Sequence, residues 1–378
     1  MKRTAYLNIN HEDILQSIRW FLTAALKTGE IDAVLVPGRR DDGRSIMPFL
    51  VSDPSQLESA DPLSPAFALS SAKQVSRLTH RPSGKKIAAV LRPCEIRALI
   101  ELVKLKQADL DPVLIISVDC LGAYTNKDWM GLSETGGKDM PYGDPARFIK
   151  QQLAHQDADV APACRVCVNP VSDHADIRLG LFGMDVSRRL LIESSTQKGS
   201  DLMELLSLDS CTEPEDRKKR ISDFVTKRNE KRDAMFKNTS EKTDSLGKLD
   251  RYFEHCVNCY NCRVACPVCY CRECVFNTDV FDHDPYQYMI WARRKGALKL
   301  PADTLFFHLT RLAHMSVSCV GCGQCSNACP SGIPVMELFS LVAGDVQAAF
   351  DYRAGNDPGQ ALPLSEFKEK EFPDVVGV

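Results

Sequence analysis

Apolar residues recur at helical spacing through Ile14, Leu15, Ile18, Phe21, Leu22, Ala25 and Leu26, with Gly29 as a stop, so the first predicted element is an amphipathic helix. Ile31 to Val36 is a short continuous apolar run, closed by Pro37-Gly38, and reads as a strand. Ile46 to Val51 reads as a second strand, and Ala66 to Thr79 has the spacing of a helix. Lys85 to Arg92 (KKIAAVLR) is a strand that passes into a helix from Cys94 to about Leu105. After Pro112, Val113 to Asp119 (VLIISVD) is a strand again. Strand, helix, strand at this spacing is a βαβ unit, which predicts an α/β N-terminal domain with a mostly parallel sheet over residues 1–210.

The pattern changes beyond that point. Glu213 to Lys248 is dense in both charge signs and poor in apolar residues. Its RKKR run, Arg217 to Arg220, is flanked by acids, so a solvated helix linking two domains (residues 211–250) is favoured over a basic binding patch. Residues 251–350 hold most of the cysteines and are expected to form a helical, two-cluster ferredoxin-like domain, closed by a helix from Val335 to Phe350. The intervening Phe281, Tyr286, Tyr288, Trp291, Phe306 and Phe307 are expected to pack over its metal sites and exclude water. Residues 351–378, with Pro358, Pro363 and Pro373, read as an extended tail able to lie on a partner subunit.

The cysteines carry the chemistry. Cys256, Cys259, Cys262 and Cys266, followed by Pro267, repeat the spacing of Cys319, Cys322, Cys325 and Cys329, followed by Pro330. Each is the C-x2-C-x2-C-x3-C-P run of a two-cluster ferredoxin, in which the fourth Cys ligates the other cluster. The expected ligands of one [4Fe-4S] cluster are Cys256, Cys259, Cys262 and Cys329; those of the second are Cys319, Cys322, Cys325 and Cys266. Zinc sites more often pair two short C-x-x-C hooks, so the double three-hook run favours clusters.

Cys94 and Cys120 end successive parallel strands, at the edge where open α/β sheets bind ligands. With the C-x-x-C of Cys164 and Cys167 they make a third set of four, enough for another [4Fe-4S] cluster; structural cysteines or a thiol redox pair are the alternatives. Cys269, Cys271 and Cys274, with Cys211, would complete a fourth set, or the three could bind zinc with His255 or His283. No G-x-G-x-x-G follows a strand, and Gly131, Gly136, Gly137 and Lys138 break the spacing of a phosphate loop.

Composition narrows the partners. Among 378 residues the net charge is −3, which gives no reason to expect nucleic acid or an acidic membrane. Sixteen cysteines at ligand-like spacing in a chain this long argue against a disulfide scaffold. The opening MKRTAYLNINHEDI lacks an apolar leader core, and no stretch approaches the length of a membrane span, so a cytoplasmic protein without a direct membrane span is expected.

With GEIDAVLV, Arg92-Pro93-Cys94-Glu95, VDCLG, CRVCVNP with ADIRLG, and CYNCRVACPVCYCREC in view, the chain from about Ile14 to Pro334 resembles the β-subunit family of coenzyme F420-dependent hydrogenases and dehydrogenases. The resemblance implies a flavin-binding α/β domain that holds FAD beside a [4Fe-4S] cluster ligated by Cys94, Cys120, Cys164 and Cys167. It marks Arg92, Pro93 and Glu95, with Asp176 and Gly180, as cofactor surroundings. Members that use the deazaflavin usually carry a Ser-Gly-Gly turn before the first helix; here that region reads NINHEDILQSIRW, so NAD(P)H or another subunit's flavin stands beside coenzyme F420 as hydride partner. The implied function is an iron–sulfur flavoprotein subunit of a multi-subunit oxidoreductase. It would exchange a hydride at FAD and relay single electrons to a formate dehydrogenase, hydrogenase or heterodisulfide-reductase-like partner. The rival is a flavin-free electron conduit with no reaction of its own.

Overall fold

A computed structural model describes residues 3–11, 13–42, 45–135, 145–155, 159–271, 273–278, 284–295 and 303–366. Gly136, Gly137, Lys138, Phe281 and His283 lie outside them. The strands are β1 (Thr4–Asn8), β2 (Ala33–Arg39), β3 (Ile46–Val51), β4 (Ile87–Leu91), β5 (Val113–Val118), β6 (Ile177–Gly180) and β7 (Arg189–Ser194). They form one sheet in the order β1-β7-β6-β5-β4-β2-β3.

The sheet is mixed, which corrects the expectation of a mostly parallel one. β2, β4, β5 and β6 run parallel, but β3, β7 and β1 join antiparallel. Parallel neighbours need a crossover of a dozen or more residues. The short connections from Arg39 to Ile46 and from Gly180 to Arg189 leave room only for reversal. β2 also runs straight through Pro37-Gly38: β4 pairs only with Ala33 to Leu35, so Pro37 lies beyond that ladder and its missing N–H leaves no β4 carbonyl without a donor.

Helix Ile14–Lys27 is where the apolar stripe places it, with Asp13 accepting from the Gln16 amide at its start. The Ala66 to Thr79 expectation shortens to Ala72–Thr79. The preceding carbonyls are claimed elsewhere: Arg92 Nη2 donates to Ser64 and Ala66 at 2.6 and 2.9 Å, and Gln324 Nε2 donates to Phe67 at 2.9 Å. That loop therefore ties the sheet edge to the second cysteine run.

Helix Pro93–Lys104 buries Ile96, Leu99 and Leu102 in a core that also takes Leu312, Val335, Leu338 and Phe339 from the C-terminal part. Helix Val335–Ala349 closes that part. The segment after it lies on this chain rather than away from it: Tyr352 Oη and the Gly355 amide both donate to the buried Glu101 carboxylate, at 2.6 and 2.7 Å.

The charged stretch forms the helix Arg217–Thr243, but it is not solvated all round. Arg217, Phe224, Arg228 and Thr239 are buried. Arg217 places both terminal nitrogens on Asp119, at 2.6 and 3.0 Å, and Asp119 also accepts from the amides of Leu181 and Phe182. Burial works against the Arg217 charge, yet the hydrogen-bonded Asp119 holds its pKa above the ordinary value. The helix is thus clamped to the residue just before Cys120.

Candidate metal centres

The end of β4, the end of β5 and the short helix Pro162–Arg165 converge, carrying Cys94, Cys120 and Cys164, with Cys167 just beyond. Burial pushes the Cys94 thiol well up, and the charges of Cys120, Cys322 and Cys167 add to it. Cys164 is pushed up to about 11, by burial first and then by Cys120 and Cys167. The four cysteines expected together are electrostatic neighbours, and Cys94 also faces the second ferredoxin run. Cations surround them. Arg92 Nη1 lies 3.8 Å from Cys120 Sγ, and the buried Arg228 donates to the Leu121 carbonyl at 2.8 Å. Burial opposes the Arg92 charge, but Cys120, Glu95, Cys94 and Cys164 outweigh it and raise its pKa.

In the C-terminal part the runs interlock. Cys262 is pushed up to about 11 by burial, partly offset by Arg311, with Cys256, Cys259 and Cys329 as its cysteine neighbours. Burial likewise raises Cys322 and Cys325, and in both Cys266 is the leading cysteine neighbour. The fourth cysteine of each run therefore faces the other run. His308 stacks on Phe253 at 3.8 Å and sets Nε2 3.4 Å from Cys256 Sγ. Burial, then Arg311, lowers its pKa to about 3, so the ring is neutral at ordinary pH.

Buried thiols with raised pKa values hold their charge only against a cation, and soft sulfurs that are electrostatic neighbours beside arginines fit iron–sulfur clusters by donor chemistry. Among the described residues no three His, Cys, Asp or Glu side chains converge as they would on a single metal ion.

Backbone conformation shapes both runs. Tyr260 and Gly323 occupy matching places, each in the left-handed region just after the second cysteine of its run. A Cβ at Gly323 would run into the Cβ of Ala163, on the helix that carries Cys164. Gly323→Ala is expected to cost about 1–3 kcal/mol from the backbone alone, with the clash adding to it. Oxygen-free thermal unfolding checks this; an unchanged midpoint would contradict the close approach of the two cysteine loops.

The expected fourth set does not assemble. Cys211 lies beside β1, its amide donating to the Thr4 carbonyl at 2.9 Å, with Tyr6, Thr4 and Arg189 around its sulfur. Cys269 instead faces Cys266, Cys274 packs near Phe276 and Phe307, and Cys271 is exposed. The grouping failed because Ser210 bridges to Ala5 at the far side of the sheet. His255 is exposed beside Glu254.

The residues marked as cofactor surroundings divide. Arg92, Pro93 and Glu95 stand at the helix start with Cys94, but the Glu95 carboxylate is engaged by the amides of Arg92 and Ser71. Asp176 sits at the opposite end of β6, accepting from the Ile115 amide at 2.7 Å, and Gly180 backs onto Arg217. Sequence reasoning missed Arg217, Arg228, Arg311 and His308. For the first two a signal existed: Arg217, Phe224 and Arg228 fall on one helical face.

A cleft of about 420 Å³ separates Cys167 from Cys319 and is lined by Arg97, Arg232, Phe236 and Arg353. A cavity of about 230 Å³ lies between Cys164 and Cys322. On the outer side, Cys259 is exposed, and Val257, Val264, Tyr270, Val275, Phe306 and Leu309 leave large apolar surfaces open in the same part of the chain.

A sequence profile described as a 4Fe-4S dicluster domain matches residues 252–333. Another, describing the C terminus of the coenzyme F420 hydrogenase/dehydrogenase beta subunit, matches residues 84–244. The chain is 27% identical over 356 residues to the F420-dependent formate dehydrogenase subunit beta of Methanocaldococcus jannaschii, covering 86% of this chain and 88% of that one. It is 29% identical over 360 residues to F420-dependent formate dehydrogenase 1 subunit beta of Methanococcus maripaludis, covering 88% of each. Against sulfhydrogenase 2 subunit beta of Pyrococcus furiosus it is 30% identical over 141 residues, covering 30% of this chain and 41% of that one.

Proposed function

The chain belongs to the coenzyme F420 hydrogenase/dehydrogenase β-subunit family, and from that premise we propose that it is the iron–sulfur flavoprotein subunit of a multi-subunit oxidoreductase. The observation that carries the reading is the contiguity of the three cysteine groups. Cys94 feels the charge of Cys322, and Cys266 and Cys329 interlock the two runs, so the groups form one row from the sheet edge to the face around Cys259. A conduit for single electrons needs such a row.

The residues have definable roles in this reading. Cys94, Cys120, Cys164 and Cys167 hold the cluster at the sheet edge, and Arg92 and Arg228 offset its negative charge. The interlocked runs hold two more. Phe253, Phe307 and Phe339 exclude water from the inner side, while the apolar surface around Cys259 meets the partner subunit. Bound FAD would supply the conversion between hydride and single-electron chemistry, with coenzyme F420 or NAD(P)H on its other side. Among the described residues no helix is long and apolar enough to cross a membrane.

A flavin-free conduit is the second reading. It is favoured by one observation: the carboxylates of Glu95 and Asp176 are already committed to backbone amides. Oxygen-free purification, with FAD and iron measured per chain, separates the two. One FAD with about twelve irons is the expected result. About twelve irons and no flavin, in fully loaded protein, would establish the conduit; about eight irons would remove the cluster at the sheet edge.

A further inference from the structure

Two guanidinium groups stand where neighbouring cysteine groups meet. Arg311 is 4% exposed and lies over the rings of Phe307 and Phe339. Its Nη1 donates to Cys262 Sγ at 3.1 Å and its Nη2 to the Cys262 carbonyl at 3.2 Å. Its charge also reaches Cys266 and Cys325, across the interlock. Arg311 therefore bridges the first-run group and the middle group.

Arg97 occupies the corresponding place at the other junction. It projects from the helix that begins beside Cys94 and lines the cleft with Cys167 on one wall and Cys319 on the other. Its Nη1 donates to the Val320 carbonyl at 3.1 Å, and its Nε and Nη2 donate to the Ala354 carbonyl at 3.1 and 2.7 Å. These bonds fix a cation between the sheet-edge group and the middle group.

Net charge and hydrogen bonds to sulfur are among the factors that set a cluster's reduction potential. A fixed positive charge favours the state with one more electron, and more strongly where water is excluded. Arginine suits such a place because it stays charged and its planar fork is held by several acceptors at once. We propose that Arg97 and Arg311 are positioning residues, each fixing a positive charge between two cysteine groups and raising the reduction potential of both. The middle group is then shared, so either arginine acts on it, while each outer group answers to one arginine. The inference rests on the three-cluster reading above and adds to it an ordering of which cluster responds to which residue.

The test uses the protein as isolated without oxygen, in its complex where it comes as one. Iron per chain is measured first, because a shortfall in the unsubstituted protein counts against the three-cluster reading and not against the arginines. Redox titration followed by electron paramagnetic resonance is then compared for Arg97→Met, Arg311→Met and the two lysine variants. Arg311→Met is expected to lower two of three potentials by about 59 mV, a tenfold fall in the ratio of reduced to oxidised centres at fixed ambient potential for a one-electron centre. Arg97→Met should lower a different pair that shares one signal with the first. Lysine, which keeps the charge and loses the fork, should retain iron and shift less. Unchanged potentials at full iron, or identical shifts from both methionine variants, would overturn the proposal. Should the methionine variants lose iron, the lysine variants decide: full iron with small downward shifts supports it, and lost iron assigns the arginines a structural role instead.

Discussion

Arg217→Met is expected to destabilise the protein by about 3–5 kcal/mol, the cost of leaving a buried charge without its partner. Asp119 would keep its two amide donors, from Leu181 and Phe182, but lose both guanidinium bonds in a site where water cannot replace them. The loss should be felt at the metal centre too, since Asp119 precedes Cys120 and its position sets where that strand ends. Oxygen-free denaturant unfolding and iron per chain are the measurements. A double variant, Arg217→Met with Asp119→Asn, should be more stable than Arg217→Met alone, because asparagine still accepts from an amide without burying a charge. Arg220, in the same RKKR run, pairs with Asp216 at the exposed surface, and Arg220→Met should leave the unfolding midpoint unmoved. Equal effects from Arg217 and Arg220 would mean that the helix is held by something other than this pair.

That contrast also marks what could be read from the chain and what could not. The two ferredoxin runs were legible because their information is local: spacing, loop length and a terminal proline lie within a dozen residues, and the interlock of Cys266 with the second run follows from them. The first helix was legible for the same reason, its buried stripe being a property of one segment. Arg217 was legible only in part: its helical face with Phe224 and Arg228 could be read, but what makes it a clamp is a carboxylate 98 residues away, and RKKR by itself looks like a solvated face. The strands β1, β6 and β7 escaped although β1 and β7 are as long as strands that were read; β1 and β7 are antiparallel additions, and their pairing depends on connection lengths between elements that had not been recognised. Cys211 was assigned by arithmetic, sixteen cysteines dividing into fours, and arithmetic carries no geometry: the segment after Leu205 leads to β1, not to the cysteine runs. Residues 66–71 looked helical because composition does not reveal that the carbonyls of Ala66 and Phe67 are claimed by Arg92 and Gln324.

On the three-cluster reading proposed above, Cys164→Ser should remove the cluster at the sheet edge and leave the other two in place. Serine has the size but not the soft, ionisable sulfur, and the remaining three cysteines would leave one iron corner without a protein ligand. Iron is expected to fall by about four per chain, with one electron paramagnetic resonance signal lost and two retained. If the three groups form a single row, the same substitution should also stop electron transfer between a hydride donor and the partner subunit, while electrons supplied chemically to the outer face around Cys259 still reduce the remaining centres. Cys211→Ser is the matched control: that sulfur lies among Thr4, Tyr6 and Arg189, so iron, signals and transfer should all stay as they are. Iron lost from the Cys211 variant and kept in the Cys164 variant would reverse the assignment of these cysteines. Iron lost from the Cys164 variant with transfer intact would place the sheet-edge group off the electron path, and the chain would then pass electrons through its two interlocked runs alone.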